Sequence, residues 1–165
     1  MVGLDLSLTS SGICDGQGSP RTISGDAREG DRRLVAIGTA VAQTTWDARL
    51  VVIEDLPRGA MGGASTGMVQ GVVRYILVTT SIPYALVPPA TLKTYATGKG
   101  TADKTAMALA AYKRAGVEFP NSDECDAWWL RAMGLDFLGE PLFELPPSHR
   151  KALAKVSWPE FTVSP

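Results

Sequence analysis

Two short apolar stretches decide the fold, Val2-Gly3-Leu4-Asp5-Leu6 and Leu50-Val51-Val52-Ile53-Glu54. Both are rich in branched side chains and are followed by turn residues, which is typical of the core strands of a sheet. Each carries a carboxylate, and burying a carboxylate is costly unless a cation or hydrogen-bond donors compensate it. One such acid alone is readily explained as a strand-end side chain that points at solvent. A matched pair, Asp5 and Glu54, indicates a metal site.

A second pair of acids lies near the C-terminus, in Asn121-Ser122-Asp123-Glu124-Cys125-Asp126-Ala127. This stretch predicts the start of a helix whose N-cap is its first or second residue. Asp123 and Asp126 are three residues apart, so both carboxylates lie on one helical face. Acids in a first helical turn also complement the helix dipole, and that explanation is sufficient for this pair alone. Together with the two strand acids, we interpret the pair as part of one metal site.

Length and composition describe an ordinary globular protein of 165 residues, 45% hydrophobic and 20% charged. We expect one folded domain over residues 1–138 and a proline-rich C-terminal extension over 139–165. The net charge of −1 does not attract nucleic acid to the molecule as a whole, so DNA binding requires a local patch. Residues 83–116 supply a net charge of +4, five cations less one acid: Lys93, Lys99, Lys104, Lys113 and Arg114 against Asp103.

The cysteines and the single histidine limit the possible chemistry. Cys14 and Cys125 form neither a disulfide framework nor a C-x-x-C pair, so we expect small core residues of a protein in a reducing cytoplasm. His149 with two distant cysteines cannot build a zinc site, and its position argues against a Ser-His-Asp triad. The apolar stretch 69–87 is interrupted by Arg74 and Pro83, and an acid as early as residue 5 does not fit a signal peptide. We therefore expect a soluble intracellular protein with no membrane partner.

The pattern along the chain predicts an α/β fold. Residues 2–6, 12–14 and 21–24 indicate an antiparallel meander, and residues 29–45 have the spacing of an amphipathic helix. The strand at 49–53 follows that helix and is expected to run parallel to the first strand. Beyond it we predict a strand at 84–87, a short helix from Pro88, a helix from Thr101 to Ala115 that ends at Gly116, a helix from Asn121 to about Leu138, and an extended tail with one basic turn at 148–156.

The glycine-rich segment 59–80 is predicted to be a helix with an unusual surface. Glycines recur at every fourth position from 59 to 71, although each costs a helix ~1 kcal/mol relative to alanine. A flat stripe of this kind suits a helix or subunit contact, and the alternative for the first two glycines is a loop before a shorter helix. We expect this helix to form the interface of a two-fold homodimer. The predicted interface comprises Gly59, Gly63, Gly67, Gly71, Val69, Val72, Val73, Ile76 and Leu77.

The order of these features resembles the RuvC-type Holliday junction resolvases of the ribonuclease H-like superfamily. Gly3-Leu4-Asp5, followed by Leu8-Thr9-Ser10-Ser11-Gly12, is similar to the G-x-D of the family's first strand and its S/T-G turn. Thr91-Leu92-Lys93, followed by Thr97-Gly98-Lys99-Gly100-Thr101-Ala102-Asp103-Lys104, resembles its V-K and G-x-G-x-A-x-K stretch. Asp123-x-x-Asp126-Ala127 resembles its final D-x-x-D-A. The resemblance covers about residues 1–138, and the ordered combination is specific.

This resemblance implies a ribonuclease H-like fold, a mixed five-stranded sheet flanked by helices. It also implies a metal-dependent endonuclease that hydrolyses phosphodiesters in branched DNA. Two Mg²⁺ or Mn²⁺ ions would be held by Asp5, Glu54, Asp123 and Asp126, with Asp5 bridging them. Oxygen-only ligands and the mutual repulsion of four carboxylates agree with such a site.

The same resemblance assigns roles to two lysines, and two further cations are candidates for DNA binding. Lys93 and Lys104 would neutralise charge at the scissile phosphate, and Arg58 and Lys99 would join them in binding DNA. For Lys93, plain phosphate binding or solubility is an equal alternative. The family often places an aromatic residue after the fourth-strand acid, and residues 55–61 contain none. We therefore expect structure-selective cleavage of four-way junctions, flaps and forks with weak sequence preference.

Three other classes of protein share some of these features. A ribonuclease H-like nuclease that acts on structured RNA has the same arrangement of acids. An actin-like ATPase or sugar kinase also begins with an acid-bearing strand, but the chain is short for two lobes. A non-catalytic DNA-binding module is disfavoured because all four acids are present. Small RuvC-type proteins occur in bacteria and phages, so the expected compartment is the bacterial cytoplasm, or that of the host.

Overall fold

The computed structural model describes residues 1–56 and 63–160, with a five-stranded sheet at its centre. The strands are β1 (Val2–Asp5), β2 (Ser10–Cys14), β3 (Pro20–Ser24), β4 (Val51–Glu54) and β5 (Tyr84–Val87). They lie in the order β3-β2-β1-β4-β5. The first three strands are antiparallel, whereas β1, β4 and β5 are parallel to one another. The predicted mixed sheet is confirmed.

Helices cover both faces of this sheet. They are α1 (Arg32–Thr45), α2 (Gly63–Thr79), α3 (Pro89–Thr97), α4 (Lys104–Ala115), α5 (Ser122–Phe137) and α6 (Pro147–Arg150). Val51 and Ile53 of β4 point into the core beneath α1 and α2, and Val52 points into the core beneath α3, α4 and α5. Because both faces are buried, the central strands are apolar almost throughout, and their acids stand only at the ends.

Two predicted helix starts differ from the structure, whereas one other start and one helix end agree with it. α1 begins at Arg32 rather than residue 29, because a separate 3₁₀ turn occupies residues 27–29. The N-cap of α4 is Asp103 rather than Thr101, since the Asp103 carboxylate accepts the Ala106 amide at 2.8 Å. Asn121 caps α5 as predicted, and Gly116 ends α4 in the left-handed conformation.

Helix α5 lies directly on the backbone of β1 and β2. A Cβ atom added to Gly3 would stand 2.0 Å from the carbonyl oxygen of Ala127, and one added to Gly12 would stand 2.0 Å from that of Asp123. Only glycine permits so close an approach. The two glycines therefore determine how near the N-terminal half of α5, with its acids, lies to the end of β1.

Helix α2 faces the core with most of the side chains that we predicted for a dimer interface. Val69, Val73 and Leu77 are buried in the core that α2 shares with α1, so the prediction is wrong for these three side chains. Residues 57–62, including Gly59, lie outside the described residues. The exposed apolar side chains of α2 are Met68, Tyr75 and Val78, which are 47%, 71% and 64% accessible. None of the helices in the described part of the chain is long and apolar enough to cross a membrane.

The C-terminal segment is docked rather than extended. Residues 147–158, here called the strap, comprise α6, a 3₁₀ turn at Leu153–Lys155 and the residues around them. The Asp136 carboxylate of α5 is 1% exposed and accepts two hydrogen bonds from the Arg150 guanidinium, at 2.7 and 3.1 Å. The Trp158 ring stacks on Phe137 with 4.2 Å between ring centroids. The predicted basic turn is therefore present and fixed to the end of α5.

Candidate active site

Two acids meet at one edge of the sheet. Asp5 is the last residue of β1 and Glu54 the last residue of β4, and these strands are parallel neighbours. Leu4 pairs with Ile53 in the register, which places the two acids side by side. The two carboxyl groups lie close enough for each to shift the pKa of the other. The structure thus brings the two predicted strand acids to one edge of the sheet.

Helix α5 adds its two acids to the same edge. Repulsion from Asp126 and Asp123 acts on Asp5, and repulsion from Asp126 acts on Glu54. The helix can bring these acids so near because its backbone lies on the two glycines of β1 and β2. All four predicted acids therefore belong to one electrostatic cluster, although they come from residues as far apart as 5 and 126.

Burial is the main cause of three raised pKa values in this cluster. Burial, followed by repulsion from Asp126 and Asp123, raises the pKa of Asp5 to about 7. Burial, followed by repulsion from Asp5 and Asp126, raises the pKa of Glu54 to about 8. Burial also raises the pKa of Asp126 to about 6, against the opposing effect of Lys93 and Lys104. Without a cation, Asp5 and Glu54 therefore retain much of their protons near neutral pH, whereas Asp126 ionises near pH 6.

Asp123 has a different environment, because hydroxyl groups hold its carboxylate. The Ser10 hydroxyl of β2 donates to one carboxylate oxygen, and the Ser122 hydroxyl lies 3.2 Å from the other. The Lys104 ammonium in turn donates to the Ser122 oxygen at 2.8 Å. Ser10 appeared in the sequence only as part of a turn, and its pairing with α5 spans 113 residues. The structure thus adds Ser10 and Ser122 to the predicted site.

Glu124 attaches the start of α5 to the outer strand β3. Its buried carboxylate accepts the Thr22 hydroxyl at 2.8 Å and the Asn121 side-chain amide at 3.2 Å. The side-chain carbonyl oxygen of Asn121 in turn accepts a hydrogen bond from the Glu124 backbone amide at 3.0 Å. The spacing of Asn121 and Glu124 is that of a capping box, a signal present in the sequence. These bonds hold the first turn of α5, with Asp123 in it, against the sheet.

The predicted cations occupy unequal positions. Lys93 is half-buried on α3 and close enough to the cluster to lower the pKa of both Glu54 and Asp126. Lys104 lowers the pKa of Asp5 and Asp126 from the start of α4. Lys99 is exposed just after the end of α3. Arg58 lies outside the described residues.

The donor chemistry fits a hard divalent cation, whereas the present arrangement is not a preformed cage. Within residues 1–56 and 63–160, no three acidic, histidine or cysteine side chains are gathered closely enough to hold a metal ion. Every acidic donor at the edge is a carboxylate oxygen, which Mg²⁺ and Mn²⁺ prefer. A bound cation would also relieve the repulsion that raises the pKa values of Asp5 and Glu54.

Comparison with known proteins shows a shared fold. No family model matches the chain, and no curated protein matches its sequence. Among solved structures, RuvC of Thermus thermophilus superimposes with a TM-score of 0.69 at 19% identity, over 85% of this chain and 98% of that one. The T. thermophilus RuvC solved in complex with a Holliday junction substrate superimposes equally well, over 97% of its chain. These likenesses confirm the predicted RuvC-type, ribonuclease H-like fold.

Proposed function

We propose that this chain is a metal-dependent endonuclease that hydrolyses phosphodiesters in Holliday junctions and other branched DNA. The observation that carries the proposal is the cluster of Asp5, Glu54 and Asp126, three carboxyl groups with raised pKa values at one edge of the sheet. Perturbed acids from separate elements, placed together at one edge, are typical of functional sites. The RuvC-type fold supports branched DNA as the substrate.

Asp5, Glu54, Asp123 and Asp126 would hold Mg²⁺ or Mn²⁺, two ions in all. When bound, the metal ions supply an activated water and stabilise the leaving oxygen. Asp5 and Glu54 are positioned by their strands and must lose the proton that their raised pKa values retain. Ser10 and Ser122 fix the carboxylate of Asp123, so it enters the site already oriented.

Lys93 and Lys104 partly offset the negative charge of the cluster before DNA arrives. Lys93 acts on Glu54 and Asp126, and Lys104 is held by Ser122. The same ammonium groups are available to the phosphate that is cut, while Lys99 and Arg58 would contact the DNA backbone. Backbone contacts carry no base sequence directly, so we expect structure-selective cleavage with weak sequence preference.

A cleavage assay tests the proposal. Labelled four-way junction, flap, fork and duplex DNA, and a structured RNA, are incubated with the protein in Mg²⁺, Mn²⁺ or EDTA. We expect metal-dependent nicking of the branched DNA. Asp126→Asn should abolish cleavage and preserve or strengthen junction binding, because repulsion of the DNA phosphates falls. Asp47→Asn, an exposed acid beyond the end of α1, is the matched control and should cut normally.

Normal turnover by Asp126→Asn would remove that residue from the site. Cleavage of the RNA with the DNA left intact would move the chain to the RNA-specific nucleases. Cleavage unaffected by EDTA would contradict the metal site. Junctions of varied core sequence complete the series, and nicks confined to one short motif would contradict the predicted weak preference.

We also propose that the enzyme acts as a homodimer, because resolving a junction requires two symmetric nicks. The exposed stripe of Met68, Tyr75 and Val78 on α2 replaces the buried Val69, Val73 and Leu77 as the proposed contact. These side chains follow one another at seven and three residues, which keeps them on one helical face. We expect a dimeric mass by sedimentation, reduced to the monomer by Tyr75→Glu. A monomeric wild type, with and without junction DNA, would contradict the dimer. The expected compartment remains the cytoplasm of a bacterium or of a phage host.

A further inference from the structure

The outward side of the strap is basic. Between Glu144 and Glu160 the chain contains Arg150, Lys151 and Lys155 and no acid. The strap turns its apolar residues inward, where Ala152 and Val156 are buried in the core beneath α5. Lys151 and Lys155 are exposed. Since Arg150 is paired with Asp136, these two lysines are the strap cations that form no ion pair within the described part of the chain.

The strap runs along α3 in the opposite direction, towards the candidate active site. At one end, a ring nitrogen of His149 lies 3.1 Å from the Tyr95 carbonyl oxygen, and the ring lies against Gly98 at the end of α3. At the other end, Lys155 lines an open cavity of about 450 Å³ with Pro88, which precedes α3, and Asp55, which follows Glu54. The strap thereby places Lys155 beside the edge of the sheet that carries the acids.

The strap is held rigidly in this position. The buried carboxylate of Asp136 also accepts the Tyr95 hydroxyl at 3.2 Å, so α3, α5 and the strap meet at one polar contact. The Trp158 indole donates to the Leu153 carbonyl oxygen at 2.9 Å and stacks on Phe137. A preorganised surface loses little conformational freedom when a ligand binds, which favours affinity.

We propose that the strap binds the phosphate backbone of a duplex arm of the substrate, through Lys151 and Lys155. The inference rests on the proposed function, since it takes branched DNA as the ligand of the neighbouring site. Duplex DNA is the partner that suits exposed lysines on the fixed strap, because the phosphates of DNA recur along each strand. Asp55 is the acid in the cavity lining, and its carboxylate already accepts the Leu56 amide at 2.8 Å. With Asp55 included, Lys151 and Lys155 still give this surface a net positive charge.

The test is junction binding by Lys151→Ala/Lys155→Ala, measured as a function of salt. Two lost phosphate contacts should reduce the slope of log affinity against log salt by about 2, and affinity at 0.1 M salt on the order of 10- to 60-fold. The cleavage rate at saturating protein should not change, because the cations that act on Asp5, Glu54 and Asp126 are Lys93 and Lys104. Arg21→Ala/Arg49→Ala removes two exposed cations at the opposite edge of the sheet and is the matched control.

A second measurement locates the contact on the arm. Shortening the junction arms to a few base pairs should bring the affinity of the wild type close to that of the double variant. Equal losses in the double variant and its control would overturn the strap proposal and leave the nuclease intact. Failure of the wild type to bind or cut any branched DNA would instead overturn the proposed function. Thermal unfolding of both variants verifies that the strap remains docked.

Discussion

Replacing Asp5 by Asn should stabilise the metal-free protein at neutral pH while it abolishes cleavage. The pKa of Asp5 rises from 3.8 to about 7 on folding, because of burial and repulsion from Asp126 and Asp123. A carboxyl group whose pKa is raised on folding does not lower the stability of the protein below its unfolded pKa. It destabilises the folded state increasingly as the pH rises through its folded pKa. The loss therefore develops between about pH 4 and pH 7, and the Asn variant lacks it.

The magnitude follows from the shift. About three pKa units at ~1.4 kcal/mol each give an upper bound of ~4 kcal/mol. Asp5 shares its shift with Glu54 and is partly accessible, so we expect ~2–4 kcal/mol. Urea unfolding in EDTA at pH values from 4 to 8 measures the free energy of unfolding of both proteins. The free energy of unfolding of the variant should increasingly exceed that of the wild type as the pH rises.

Two comparisons make this experiment decisive. Mg²⁺ should stabilise the wild type at pH 8 and have little effect on Asp5→Asn, because a ligand stabilises only the state that binds it. Asp47→Asn should show the pH dependence of the wild type. A stability difference between wild type and Asp5→Asn that stays constant from pH 4 to pH 8 would refute the reasoning.

Other substitutions test how α5 is positioned. Gly12→Ala would place a Cβ atom 2.0 Å from the Asp123 carbonyl oxygen and should cost ~1–3 kcal/mol or more in urea unfolding. Gly16→Ala, which meets no atom within 4 Å, should stay within about 0.5 kcal/mol of the wild type. Ser10→Ala removes a donor to Asp123 and should lower kcat by more than KM changes, whereas Ser10→Thr should retain activity. Glu124→Gln should lower the melting temperature, and an unchanged value would show that its bond to β3 contributes little.

The directions of the first four strands and the location of the acids were predictable because the local patterns were strong. The apolar strands that end in Asp5 and Glu54 are separated by a helical segment, which implies parallel neighbours and a shared edge. The orientation of α2 was not predictable, since apolar residues occur on more than one of its sides. Val73 and Tyr75 differ in burial although both suit an interface.

Contacts between residues far apart in the chain could not be predicted from the sequence either. The bond between Thr22 and Glu124 joins positions 102 residues apart, and nothing near either residue indicates the other. The cap of α4 was misplaced by two residues, because Thr101 and Asp103 are both good capping residues and only the backbone geometry selects one.

The ion pair between Asp136 and Arg150 has a practical consequence for shortened versions of the protein. Composition invites truncation after residue 138, where the prolines become frequent. Such a chain would leave the Asp136 carboxylate buried with Tyr95 but without its cation, and would expose Phe137 and Trp128 where Trp158 and Phe143 now cover them. Asp136 and Asp126 belong to the same helix. Destabilising the C-terminal end of α5 would therefore disturb the acids nearer its N-terminal end. A truncated chain that fails to cleave DNA would therefore report a weakened α5 and the loss of Lys151 and Lys155, and not a catalytic role for the removed segment.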